Sequence, residues 1–356
     1  MTPASDWIAQ RFDHYVRPDV FRQAVHSDRP VWVAIGGQPG AGKTAAELHV
    51  RNLNPDVQLT PIIGDNLRKF HPDYDLLLDT DPLAMPDATA AASAAWVEAS
   101  LEHARVQRYS VLVEGTFRRS EVTLHTAEMF HTAGFRTHLV ALAVPPWESR
   151  LCTLERFVAD HAGGRVARWT PVSAHDAGVS GAPRTLAAAA VSPHVDQVTV
   201  LNRAGVVLFD GHRPGPLLEA RMVVEAEHRR PPSRVEARDW LARLASNREY
   251  LGAQVPATPE TQALLTSLAV DEQRLSAVSG RGGDALRQRA SRAVHVRPHA
   301  KASTVDVLEY VKTAELARTA ASPVQAHLNV TPGFATALLV DEPHSALQPQ
   351  LDVPDL

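Results

Sequence analysis

Residues 31–44 read Val-Trp-Val-Ala-Ile-Gly-Gly-Gln-Pro-Gly-Ala-Gly-Lys-Thr, and no other stretch constrains the fold as tightly. An apolar, β-branched run from Val31 to Ile35 empties into a glycine-rich turn, and a helical pattern opens at Lys43-Thr44. Strand, turn and helix in that order make a phosphate-binding loop, with Gly37, Gly42, Lys43 and Thr44 satisfying G-x-x-x-x-G-K-[ST]. Glycines let backbone N–H groups wrap an anion without Cβ clashes, and the helix N-terminus adds the positive end of its dipole. Gly37, Gln38, Pro39, Gly40, Ala41 and Gly42 form the expected nucleotide cradle, Lys43 reaches the β/γ-phosphates and the Thr44 hydroxyl holds Mg²⁺. The only lysines are Lys43, Lys69, Lys301 and Lys312, so a lysine in the loop is not a by-product of composition.

Strands and helices alternate downstream of the loop. The periodicity predicts helices over about 45–53, 87–108, 120–133 and 146–162, and strands over about 58–63, 109–113 and 135–144. An N-terminal helical pattern over 5–26, broken near Pro18, is expected to pack outside the first strand. This alternation implies an α/β, doubly wound, mostly parallel sheet with a helical C-terminal extension; with the loop it suits a fold of the P-loop kinase type, an ATPase motor or a switch GTPase. Such sheets bind ligands beyond the carboxyl ends of their strands. Asp65 and Glu114 fall at two such ends, on the rim that carries the loop. The Gly-, Pro- and Ala-rich stretch 163–193 is assigned no element. Residues 198–209 read as a hairpin with a glycine turn, followed by helices at roughly 215–229, 233–251 and 258–279. The expected domains are 1–229, a helical extension over 230–295 that docks on the core or mediates association, and a weakly patterned tail over 296–356.

A formal net charge of −4 argues against a dedicated nucleic-acid or membrane-surface protein. The lone Cys152 excludes an internal disulfide framework and, with no long apolar run, points to the cytoplasm. At the rim, Asp65 is placed to accept the proton of an acceptor hydroxyl; the competing readings are a Mg²⁺ ligand and a helix N-cap. Glu114 follows a Walker-B-like strand and suits Mg²⁺, a substrate hydroxyl or a buried pair with Arg118. The arginines at 229, 230, 234, 238 and 243 read as a solvated helix face rather than a partner surface.

From the loop onward the chain resembles the zeta toxins, P-loop kinases of UDP-N-acetylglucosamine from toxin–antitoxin systems. The resemblance is carried by the 37–44 loop, by Ile63-Gly64-Asp65 through Arg68 to His71-Pro72-Asp73-Tyr74, and by Glu114-Gly115-Thr116-Phe117-Arg118 with Glu98 ahead of it. It continues through Glu155-Arg156-Phe157, Ala167-Arg168-Trp169-Thr170-Pro171, Ala174-His175-Asp176 and Leu201-Asn202-Arg203-Ala204-Gly205-Val206. It covers about residues 5–212, and after about 230 it places no counterpart.

The resemblance implies transfer of the ATP γ-phosphoryl group to the 3′-hydroxyl of the UDP-sugar, with Asp65 as base. It implies that Arg156 and Arg168 stabilise the migrating charge, with Arg165 a rival for the second role. Glu98, Glu114, Thr116 and Arg118 would grip the sugar nucleotide together with Asp65. It also implies a growth-arresting toxin silenced by a small helical antitoxin. Two other readings stand beside it: a P-loop kinase of another hydroxyl acceptor, such as an antibiotic or nucleoside, and a nucleotide-dependent interaction module.

Overall fold

The computed structural model describes residues 3–80, 84–164, 167, 169–255 and 257–279. Six strands, β1 (Val31–Gly36), β2 (Thr60–Ile62), β3 (Val111–Gly115), β4 (Arg136–Ala143), β5 (Gln197–Asn202) and β6 (Val207–His212), form one sheet. Their order is β2-β3-β1-β4-β5-β6, parallel except for the antiparallel β5–β6 hairpin. Alternation along β1 splits its side chains between two cores. Trp32 and Ala34 join one apolar cluster, while Val31, Val33 and Ile35 join the other. A strand buried on both faces is what a parallel sheet covered by helices requires. The doubly wound α/β expectation is met.

The longer helices are α1 (Pro3–Arg11), α2 (Lys43–Asn52), α3 (Ala90–Gln107), α4 (Ser120–Thr132), α5 (Pro146–Ala162), α6 (Val172–Val191), α7 (Glu219–Arg229), α8 (Arg234–Gln254) and α9 (Pro259–Ser279). Helices α3, α4, α6 and α7 cover one sheet face, and α2 packs on the other. A third cluster stands apart from the sheet. There Trp147, Leu151, Leu154 and Phe157 of α5 interlock with Ala237, Trp240 and Leu244 of α8 and Leu264, Leu268 and Leu275 of α9.

Three local readings change. The N-terminal segment lies against α3 and the β2 edge rather than outside the first strand: Trp7 packs edge-on to Trp96, whose indole N–H donates to Ile8 O at 2.9 Å. It also stays helical across Pro18, which falls in the first turn of Arg17–Val20 after a π-helical turn at Phe12–Val16. The unassigned stretch 163–193 contains the 20-residue helix α6. Finally, Arg230 and Arg243 do not lie on a solvated face. Arg243 pairs with Glu155 and Glu148 of α5 at 2.6 and 3.0 Å, and Arg230 pairs with Glu227 and Glu236. The projected extension over 280–295 and tail over 296–356 lie outside the described residues.

Candidate active site

The β1 backbone enters the loop level with the end of β3, because Ile35 pairs with Glu114 and Gly36 with Gly115. Gly40 and Gly42 take left-handed φ values of 78° and 91°. Alternating handedness of this kind builds an anion-binding nest. At Gly40 a side chain would also collide with the Ser149 carbonyl of α5. Gly42 is the N-cap of α2 and has no side chain to satisfy the first-turn donors, which leaves that task to a ligand. Lys43 Nζ donates to Gly37 O at 3.1 Å and stands 3.9 Å from Glu114 Oε1. Both side chains are largely buried, 11% and 22% exposed, so screening by solvent is weak.

Two side chains brace the loop, one from within it and one from outside. Gln38, fully buried, donates through Nε2 to Val144 O at 2.7 Å and to Ser149 Oγ at 3.2 Å. Arg203, at the tip of the β5–β6 hairpin, donates to Gly40 O at 2.6 Å. The hairpin turn is itself fixed, because Asn202 Oδ1 accepts from the backbone N–H groups of Ala204 and Val206.

Asp65 sits in the short helical turn Gly64–Leu67 just beyond β2. The N-cap of that turn is Ile63 and no side chain caps it, which removes the capping reading of Asp65. Arg68 Nε donates to Asp65 Oδ1 at 3.2 Å. The same guanidinium donates to Thr89 Oγ1 at 2.8 Å and to Pro86 O, and its side chain is only 7% exposed. Ser93 of α3 donates to Gly64 O at 2.7 Å and ties the turn to the helix that carries half-buried Glu98.

The β3 exit, Glu114 through Arg118, bends at Phe117. This buried residue holds φ at 53°, a strained value for a bulky side chain. The strain is held from two sides. Thr185 of α6 donates to Phe117 O at 2.7 Å, and the ring lies against Gly36, where a Cβ would clash with it. Helix α6 reaches both halves of the site through its glycines. Gly178 backs onto Gln38, and Gly181 backs onto the Arg118 backbone.

Thus the structure gathers Gly37–Thr44, Glu114, Thr116 and Arg118 on adjoining strand ends, with Asp65 one strand further along. Arg156, on α5, donates to Thr170 Oγ1 at 2.7 Å and so anchors the segment after the helix. Arg165 and Arg168 lie outside the described residues. Sequence reasoning missed the supports: Arg68 as a partner of Asp65, Arg203 as a loop brace, and Ser149 behind Gln38. Only Arg68 left a signal, at helical i,i+3 spacing from Asp65. Among the described residues no cluster of three or more His, Cys, Asp or Glu is arranged to hold a metal, and no helix is long and apolar enough to cross a membrane.

The family model described as Zeta toxin matches residues 19–213. Toxin zeta of Streptococcus agalactiae is 27% identical over 270 residues, spanning 74% of this chain and 92% of its own length. Toxin zeta of Streptococcus pyogenes is 30% identical over 63% of this chain and 77% of its own. In fold, the chain is similar to a structure from the PezAT chromosomal toxin–antitoxin system of Streptococcus pneumoniae, with TM-score 0.58 and 21% identity over 72% of this chain and 99% of that one. The longest of these matches covers more of this chain than the 229 residues before Arg230, so it extends past that position. Matched by the family model over more than half its length, and spanning most of its relatives, the chain belongs to the Zeta toxin family.

Proposed function

We propose that this protein is a kinase that moves the γ-phosphoryl group of ATP to the 3′-hydroxyl of UDP-N-acetylglucosamine, and that it acts as a cytoplasmic toxin held in check by a helical antitoxin. The observation that carries the reading is the sheet order. The strand ends bearing Asp65 (β2), Glu114 (β3) and the loop (β1) are consecutive, and Lys43 lies 3.9 Å from Glu114. A donor site and a carboxylate-lined acceptor site therefore adjoin. A switch or interaction module needs the first and not the second. Membership of the Zeta toxin family and the toxin–antitoxin origin of the PezAT structure support the toxin role and the antitoxin.

In the transfer, the γ-phosphorus leaves the β–γ bridging oxygen and bonds to the sugar oxygen. The hydroxyl proton passes to the Asp65 carboxylate, and ADP departs. Phosphoryl transfer passes through a loose transition state, so the protein mainly positions groups and balances charge. Lys43, Arg156 and Arg168 carry the positive charge, and Arg68 fixes the direction in which Asp65 faces. Glu98, Glu114, Thr116 and Arg118 hold the UDP-sugar with Asp65. Mg²⁺ takes most of its ligands from phosphate and water, and an exposed Thr44 hydroxyl in the first turn of α2 suits that modest demand. When bound, the ion would neutralise charge on the phosphate oxygens.

The test incubates the protein with ATP, Mg²⁺ and a panel of hydroxyl acceptors, read by mass spectrometry. The expected product is the UDP-sugar heavier by one phosphate, with Asp65→Ala inactive yet still able to bind ATP. Phosphorylation of another acceptor alone would replace the substrate and keep the kinase; an active Asp65→Ala would remove the base.

A further inference from the structure

Behind the phosphate loop a chain of hydrogen bonds runs from buried Gln38, Ser149 and His175 out to half-exposed Asp176; Ser149 Oγ also lies 3.4 and 3.3 Å from the Pro145 and Pro146 carbonyls, farther than its partner on His175. Gln38 Nε2 faces the Val144 carbonyl, which can only accept, so this end of the amide is the NH₂ and it donates to Ser149 Oγ at 3.2 Å. Ser149 Oγ lies 2.9 Å from His175 Nε2, and His175 Nδ1 lies 2.9 Å from Asp176 Oδ1. The bonds from His175 and Arg150 hold the Asp176 carboxyl below its ordinary range, and burial lowers His175, so the ring is neutral beside a carboxylate. Its proton therefore sits on Nδ1, and Nε2 accepts from the Ser149 hydroxyl. Arg150 donates to Asp176 Oδ1 at 3.1 Å and also to Asp271, a buried residue of α9. Ser149, His175 and Asp176 share the residue types of a hydrolytic triad, but Ser149 and His175 are sealed from solvent and the serine oxygen is already engaged by Gln38.

We propose that His175 is a positioning residue for the phosphate loop, acting on Gln38 through Ser149, and that Asp271 of α9 belongs to the same chain through Arg150 and Asp176. Three features carry this beyond packing. Among the described residues the buried Gln38 carbonyl Oε1 has no hydrogen-bond partner, so within them the amide is held from its nitrogen side. Gln38 directly follows Gly37, the first glycine of the loop, so a rotated amide moves the backbone that meets the phosphates. Gly178 brings the α6 backbone against Gln38 and Pro39 within one turn of His175, so the helix that carries the histidine also abuts the loop. The inference rests on the loop binding nucleotide, not on the identity of the acceptor.

The experiment measures ATP·Mg²⁺ binding by titration calorimetry on the full chain, with thermal unfolding in parallel. His175→Asn keeps a donor for Asp176 and withdraws the acceptor from Ser149, whereas His175→Gln keeps an acceptor near the Nε2 position. The expected result is that His175→Asn weakens ATP binding by roughly ten-fold, the scale of one lost buried hydrogen bond, and His175→Gln restores most of it. Asp271→Asn should weaken binding less, and should add nothing to His175→Asn in the double variant. Unchanged affinity in His175→Asn, or equal losses in both variants that track their melting temperatures, would overturn the positioning role. Additive losses in the double variant would overturn the link to α9. A wild-type chain that binds no nucleotide would remove this inference and the kinase together, while one that binds ATP but ignores the UDP-sugar leaves it standing.

Discussion

Arg68 holds the proposed base much as Gln38 holds the proposed phosphate cradle: a buried side chain with several partners leaves its neighbour one orientation. Neither role can be read locally. The loop is legible because the residues from Gly37 to Thr44 are contiguous, whereas Gln38 meets Ser149 across 111 positions and Ser149 meets His175 across 26. His138 shows the same dependence on the fold and yields a pH prediction. Thr199 donates to Asp210 Oδ1 at 2.6 Å, so it accepts from His138 Nε2–H at 2.8 Å, and burial first, then Arg136, push the ring down to about 3 from the ordinary 6.5. Below pH 6.5 the unfolded chain takes up a proton that the folded chain refuses until about pH 3, so stability falls across that window and is unaffected above it. His138→Gln should remove about 2 kcal/mol of the loss between pH 7 and pH 5, measured by urea unfolding at both values. An unchanged difference would show that the ring is protonated in the fold.

Among the elements, α6 departs most from sequence expectation. Gly178, Gly181 and Pro183 lower its helical propensity by amounts that make any sequence reading prefer a loop. The glycines are there because the helix backs directly onto Gln38 and Arg118, so the feature that hid the helix is the one that places it. A Cβ at Gly181 would meet Arg118 backbone atoms well under 3.0 Å away, and backbone cannot rotate aside as a side chain can. Gly181→Ala should therefore destabilise by about 1–3 kcal/mol, the usual cost of overpacking, despite a propensity gain of about 1 kcal/mol. Gly252→Ala in α8, with nothing within 4 Å, isolates the propensity term and should stabilise by roughly 0.5–1 kcal/mol. Denaturant titrations of the two variants check the contrast. Equal signs would mean that α6 has slack against the β3 exit. The β-strands are easier to read because apolar runs such as 111–113 and 139–144 are continuous and end at Glu114-Gly115 and Pro145-Pro146.

At the scale of the molecule, the question is whether α8 and α9 are an appendage or part of the nucleotide-binding unit. The sequence pattern places a boundary at 229/230, since helical segments after a closed α/β core look like an addition. The contacts favour integration. Trp240 is fully buried and donates to the Trp147 carbonyl at 2.9 Å, and Arg243 ties Glu148 and Glu155 of α5 to α8. The α5 helix also carries Ser149 and Arg156, so the core of the C-terminal pair reaches the site through one rigid element. Large-to-alanine changes at a buried tryptophan cost about 3–5 kcal/mol, and this one also strands a carbonyl. Trp240→Ala should lower the stability of the whole chain by that amount, in one cooperative transition seen alike by circular dichroism and by nucleotide binding. Two separated transitions, with the nucleotide site surviving the first, would instead restore the boundary at 229/230 and make the helices a domain of their own.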